Sequence, residues 1–244
     1  MAAITDHQAF PQPADSNGII WRYMDVPKLV DLLHRSELHM AQLRSLEDPL
    51  EGRYTATYRA AYDSHVRQLM KNKDLQFSIA ERSETFMRAS LYVNCWCLQD
   101  HETQGMWRVY GGAAGVALRT TYSRLVSALP PDVYVGQVRY VSPDHMLYDG
   151  NALQLAMIKR HFFRDERECR VVKWQIQKKL DGEHGFDMDF DRYPAGLGLH
   201  VNLSDLVTDI VVSPLAPAWF HTCVTAIVDR FAPGLQVARS SMRT

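Results

Sequence analysis

An α+β domain built on a mixed, mainly antiparallel sheet is the fold class this sequence predicts. Three observations predict it. The β-prone runs are short, they do not alternate one for one with helices as βαβ units would, and the helical patterns gather early and late in the chain. A length of 244 residues is enough for one large core.

The elements follow in order. Residues 1–17 are polar and hold Pro11, Pro13, Ser16 and Asn17, the composition of a flexible N-terminal arm. Ile19 to Tyr23 is a short β-prone run. Val26, Leu29, Val30, Leu32 and Leu33 then recur at helical spacing, with Asp25 placed to cap and Pro27 tolerated in the first turn. Leu38 to Ala41 reads as a strand, and Asp48-Pro49 with Glu51-Gly52 as a turn. Residues 53–73 and 79–88 carry helical patterns, and Leu91 to Leu98 a strand. A short helix over Met106 to Tyr110 ends at Gly111-Gly112. Gly115 to Thr120 is a strand, 121–129 a helix, Val133 to Val141 a strand, Leu153 to Phe163 a helix and 166–176 a strand. Asp181 to Asp191 is an acidic loop. Leu199 to Asn202 and Thr208 to Ser213 are strands, and 217–232 is a closing amphipathic helix. The division expected is an arm over 1–17, one α+β domain over 18–235 and a tail over 236–244.

Composition excludes several classes. A formal charge of −1 supplies no global basic field for holding a nucleic acid without specificity. Met1 to Phe10 lacks the basic start and apolar run of a signal peptide, and charged residues interrupt every apolar run before it reaches membrane-spanning length. Cys95, Cys97, Cys169 and Cys223 form no CxxC pair and read as reduced thiols. A cytoplasmic protein without membrane partners is the expectation. No HExxH, EF-hand loop, Walker A loop or G-x-S-x-G elbow occurs.

The most informative stretch is 165–173, Asp-Glu-Arg-Glu-Cys-Arg-Val-Val-Lys. Glu166, Glu168 and Arg170 fall at spacing two, which on a strand puts two carboxylates and a guanidinium on one face. One carboxylate can then steady a developing cation while the other orients or deprotonates a nucleophile. The same spacing also makes a structural ion-pair network at a sheet edge. Trp21-Arg22-Tyr23 sets an arginine between two aromatics, suited to clamping an anion or to leaving an exposed arginine between anchors. Asp48 and Glu51 offer oxygens for a metal or simply begin a helix. Trp107 and Tyr110, three apart, can share a helix face as a platform for a planar ring or belong to the core. Lys159, Arg160, Arg164, Arg167, Arg170 and Lys173 surround Phe162, Phe163 and Trp174, a basic and aromatic mixture that a polyanion can use and that the acidic loop can neutralise.

Taken in order, Trp21-Arg22-Tyr23, Asp48-Pro49 with Glu51, Cys95-Trp96, Met106-Trp107 with Tyr110, Gly115-Val116, Tyr140, Glu166-x-Glu168-x-Arg170 and Ile210 to Pro214 resemble the bacterial domain-of-unknown-function family twenty-nine-seventy-one over about residues 19–232. Where that family more often has an asparagine, this chain has Glu47 before Asp48-Pro49. A second, weaker resemblance is to ADP-ribosyltransferase-like folds, which imply a split sheet. That resemblance implies NAD as substrate and no metal, with Arg22 on its phosphate or ribose and Tyr23, Trp107 or Tyr110 facing nicotinamide. It implies Glu168 as the carboxylate that binds ribose and stabilises an oxocarbenium-like state, with Glu166 orienting an acceptor, protein or nucleic acid. Arg170 is a charge this pattern does not require, and no S-T-S motif accompanies it. A toxin, effector or phage-defence role accords with that resemblance. The alternatives are a non-catalytic nucleotide or nucleic-acid binding module using Arg22 and Arg170, and a metal-dependent hydrolase or nuclease using Asp48, Glu51, Glu166 and Glu168.

Overall fold

A computed structural model describes residues 2–70, 78–142, 151–178 and 187–243. The chain runs β1 (Ile19–Asp25), α1 (Val26–Arg35), β2 (Glu37–Gln42), α2 (Ala56–Met70), α3 (Ile79–Ser90), β3 (Leu91–Leu98) and α4 (Gln104–Met106). Then come β4 (Gly115–Thr121), α5 (Tyr122–Ala128), β5 (Tyr134–Gln137), β6 (Arg139–Val141), β7 (Ile158–Arg160) and β8 (Glu168–Trp174). The closing elements are β9 (Gly196–His200), α6 (Leu203–Leu206), β10 (Asp209–Val212), α7 (Ala218–Phe231) and β11 (Gln236–Arg239). This is a single α+β domain. Among the described residues nine strands form one mixed sheet in which only β10 and β11 run parallel, and β6 with β7 form a separate parallel pair.

Local chemistry sets the element ends. Asp25 caps α1 by accepting from the Lys28 N–H, and Pro27 sits in the first turn where its missing donor costs nothing. Ser78 caps α3 and Thr121 caps α5 in the same way. The largest core lies on one sheet face, where Leu29, Leu32, Leu33, Leu125, Val224 and Val228 of the helices meet Ile20, Met24, Trp96, Leu118 and Val171.

The sheet divides at β3. Strand β8 covers one edge of β3 along Leu91 to Cys97. The other edge is shared: β1 pairs only at Cys97 and Leu98, and β2 only at Tyr92 and Val93. Residues 94–96 therefore face an opening between β1 and β2. On the face away from the main core, two smaller clusters flank this region, one around Trp21, Tyr23 and Trp107 and one around Leu91, Val93 and Val172.

Three segments differ from the sequence expectation. Residues 153–163 are not one helix: 152–156 and 161–166 are 3-10 turns, and β7 lies between them. A short apolar run carries no periodicity that separates buried strand from buried helix. Strand β8 begins at Glu168 rather than 166, because Arg167 takes a left-handed conformation with φ of 43°. The N-terminal segment, expected as an arm, lies against the body: Ala9 and Phe10 are buried, and Ile4 bridges Tyr134. The expected helix over 53–73 is α2, with 71–73 outside the described residues, as are 181–186 of the acidic loop.

Candidate functional site

The register through β3 builds the site. Cys97 pairs with Trp21 on β1 and with Glu168 on β8, and Cys95 pairs with Arg170. Residues opposite one another share a face, so Glu168 and Arg170 stand on the face of Trp21, between the two smaller apolar clusters. Arg170 is 1% exposed and Glu168 6%. Charges this deep must be paired.

They are paired by residues from two other places in the chain. The Arg170 guanidinium donates to Glu168 at 2.6 Å, to the Ala156 carbonyl at 2.8 Å and to Glu51. Lys159, from β7, donates to Glu168 at 2.5 Å and to Glu166 at 2.6 Å, and lies 3.9 Å from Glu51. The parallel pairing of β6 with β7 sets Tyr140 opposite Lys159, and the Tyr140 hydroxyl accepts from the Glu168 N–H at 2.8 Å. Glu51 arrives on a loop fixed at its start by Asp48. The Asp48 carboxylate accepts from the Leu50 N–H at 3.0 Å and from both Nε and Nη2 of Arg160 at 3.1 and 2.9 Å.

Three carboxylates thus face two cations. Arg170 and Lys159 neutralise two of them and leave the third in excess. That third is Glu166, the outermost. Burial, followed by its hydrogen bond to Glu168, raises its carboxyl from 4.5 to about 7. Burial alone would raise Glu168 as well, but Arg170 outweighs it and, with Glu166 and Lys159, holds Glu168 well below the usual range. Lys159 is held well above the ordinary lysine value, since Glu168 and Glu51 outweigh its burial. The left-handed Arg167 lets Glu166 and Glu168 converge on the same ammonium although Glu166 is in a 3-10 turn. Tyr110, 40% exposed, donates to Glu166 at 3.2 Å and forms the rim.

The other expected site residues fall as follows. Trp107 is fully buried, donates to Glu102 at 2.9 Å and meets Tyr23 edge-on at 4.9 Å. Trp107 and Tyr110 do not share a face, because 107–111 is a π-turn that swings Tyr110 outward. Tyr23 and Trp107 are core, and Tyr110 is the ring left open. Arg170 has all three nitrogens engaged within the protein. Arg22 leaves β1 on the face of Ile20 and Met24, opposite to Trp21, and reaches into the sheet opening, where Nη1 lies 3.5 Å from the Cys95 carbonyl. Cys95 also pairs with Arg170, so Arg22 and the carboxylate cluster stand on either side of one strand. Burial lowers Arg22 to about 10, and among the described residues it has no carboxylate partner. Burial pushes the Cys95 thiol up to about 12, so it is not a nucleophile at neutral pH.

Of the basic and aromatic stretch, Lys159, Arg160, Arg170 and Lys173 are all taken by carboxylates. Asp48 and Glu51 are likewise held by Arg160 and Arg170, and among the described residues no group of three or more His, Cys, Asp or Glu converges as a metal site. Sequence reasoning did not foresee Lys159 as the hub. The available signal was a lysine closing the apolar run Leu153 to Ile158, where a buried ammonium needs carboxylates.

Comparison with known proteins adds little. No family model matches the chain, so none supports the resemblance to family twenty-nine-seventy-one, and no curated protein matches it. A solved structure, Thermus sp. 2.9 DarT in complex with ADP-ribosylated ssDNA, aligns over 96% of this chain and 98% of that chain at 11% identity with a TM-score of 0.43. At that level the likeness carries no argument about family or activity. No helix among the described residues is long and apolar enough to cross a membrane.

Proposed function

We propose that this chain transfers the ADP-ribosyl group of NAD to an acceptor, with Glu166 as the carboxylate that meets the substrates. The observation that carries this reading is the excess of one carboxylate over the cations of the ion cluster. It leaves a rim glutamate with a carboxyl near 7, where a general base works at neutral pH. In the transfer the nicotinamide nitrogen leaves with the electrons of its bond to the ribose carbon. The acceptor oxygen or nitrogen forms the new bond and gives its proton to Glu166. The positive charge that develops on the sugar faces a cluster whose three carboxylates outnumber its two cations by one. Glu168 is buried and held by two cations, so it acts as a positioning residue. Arg22, which has no carboxylate partner among the described residues, suits the diphosphate, and the open Tyr110 ring suits nicotinamide.

Incubation with NAD and a panel of protein and nucleic-acid acceptors should release nicotinamide. Glu166→Gln should lower the rate by about 10²–10⁴-fold, the contribution of a positioned general base. A wild-type protein that neither binds nor consumes NAD across the panel would sink the reading. Arg22, without a carboxylate partner among the described residues, also favours a second reading, a nucleotide-binding module without turnover. NAD binding that survives both Glu166→Gln and Glu168→Gln, with no nicotinamide released by the wild type, would select it.

A further inference from the structure

Glu102 is a buried carboxylate outside the ion cluster, and among the described residues no cation pairs with it. Its charge is met by hydrogen bonds. Oε2 accepts from the Trp107 indole at 2.9 Å and from the Ser240 hydroxyl at 2.6 Å. Oε1 accepts from the Ser241 N–H at 2.7 Å and from the Ser241 hydroxyl at 2.9 Å. Burial opposes the charged form, but the bonds from Ser240, Ser241 and Trp107 outweigh it and hold the carboxyl below its ordinary value. Ser240 and Ser241 directly follow β11, and Ser240 is itself buried. One carboxylate therefore ties the indole of Trp107 to the end of the chain, 138 residues after itself.

The π-turn that carries Tyr110 is built around that indole. The Trp107 N–H donates to the Thr103 carbonyl at 3.1 Å, and the Gly112 N–H closes the turn on the Trp107 carbonyl at 2.6 Å. Gly111 lies flat on the ring, since a Cβ there would stand 2.5 Å from Trp107 Cε3. The Ser213 hydroxyl holds the far end by donating to the Gly112 carbonyl at 2.7 Å. Between these fixed points Tyr110 projects outward and donates to Glu166 at 3.2 Å. Packing alone does not call for a charge under Trp107, because a buried carboxylate is costly and an apolar side chain fills the same space. What the carboxylate adds is direction: it fixes the indole against the chain end and so sets where the turn presents its phenol. We infer that Glu102 is a positioning residue, which with the C-terminal serines locks the Trp107 turn and keeps Tyr110 on Glu166. The assignment builds on Glu166 as the working carboxylate of the proposed transfer, but its test uses no NAD, so either can fail without the other.

The titration midpoint of Glu166, followed by carboxyl NMR on the full chain, tests it. Tyr110→Phe should move the midpoint by about 0.4–1 pH unit, the worth of one hydrogen bond. Glu102→Gln should move it in the same direction, because an amide has one acceptor oxygen and cannot serve both serines and the indole. In the Tyr110→Phe background Glu102→Gln should add nothing further, which is the mark of one residue acting through the other. Val228→Ala in the main core is the control for lost stability: it should lower the melting temperature and leave the midpoint in place. A midpoint in folded Glu102→Gln within about 0.1 pH unit of wild type overturns the assignment. So does a midpoint that Tyr110→Phe does not move, full additivity in the double variant, or an equal shift in Val228→Ala. If Glu102→Gln does not fold, Ser240→Ala takes its place. It removes one donor to Oε2 and should shift the midpoint less and with the same sign, and an unmoved midpoint there overturns the assignment.

Discussion

Glu166 and Arg170 set opposite demands on the fold, and each demand can be measured. Glu166 has its carboxyl raised from 4.5 to about 7, so between those values the folded state binds a proton that the unfolded state does not. Stability therefore falls as pH rises through that window, by up to about 1.4 kcal/mol per pH unit. Glu168 is shifted the other way, so its contribution is present above 4.5 and lost as pH falls below it. Urea unfolding of the wild type across pH 4 to 8 (roughly, the window these shifts define) should show the decline with rising pH, and Glu166→Gln should flatten it. An unchanged slope in the variant would show that Glu166 is not the group that titrates in this window. Arg170→Met should cost about 3–5 kcal/mol in the same experiment, because it strands Glu168 and Glu51 as buried unpaired carboxylates. A cost below about 1 kcal/mol would mean that the cluster is wet and Arg170 dispensable.

At the scale of elements, the Asp48 loop is the device that completes the cluster. Arg160 holds its first residue, Gly52 takes φ of 70° at its end, and Glu51 between them is aimed at Arg170. Gly52→Ala should destabilise by about 1–3 kcal/mol, since a side chain at that φ is strained and would press on Leu43. It should also loosen the Glu51 contact, read as a shift of the Glu166 titration followed by carboxyl NMR. A titration that stays in place would separate the loop from the cluster. This loop shows what the sequence disclosed and what it withheld. Asp48-Pro49 and Glu51-Gly52 announced a turn by their own chemistry. The partner of Glu51 lies 119 residues away, a distance that no local pattern encodes. Spacing two placed Glu168 and Arg170 on one face correctly, because both are on β8. It erred at Glu166, where one left-handed residue ended the strand without a glycine to mark it. Trp107 and Tyr110 were separated by a π-turn whose extra residue defeats the helical spacing used to pair them.

The whole molecule is organised by what braces β8. Strand β3 lines one edge of β8 and β5 the other, so Glu168 and Arg170 are only as fixed as those neighbours. Beyond β5 comes the N-terminal segment. The Ile4 N–H donates to the Val133 carbonyl at 2.8 Å and the Val135 N–H returns to Ile4 at 3.0 Å. Phe10 stacks on Tyr134 at 5.0 Å and fills the space above Gly136, where a Cβ would stand 2.7 Å from it. Gln12 ties the segment to β5 and α5, donating to the Val135 carbonyl at 2.8 Å and accepting from the Tyr122 hydroxyl at 2.7 Å. A strand edge that would otherwise be bare is covered. Removing residues 1–12 should therefore cost at least the burial of Phe10, about 1.5–3 kcal/mol. At this chain length, where each kcal/mol is worth about 2–4 °C, that lowers the melting temperature by about 3–12 °C. The exposed β5 edge should also promote self-association, visible by light scattering. Because β5 braces β8, amide exchange should accelerate at Val171 and Val172 more than at Ile210 and Val211 on the far side of the sheet. Equal acceleration in both places, or an unaltered melting temperature, would show that the segment merely rests on the surface and that the ion cluster is held without it.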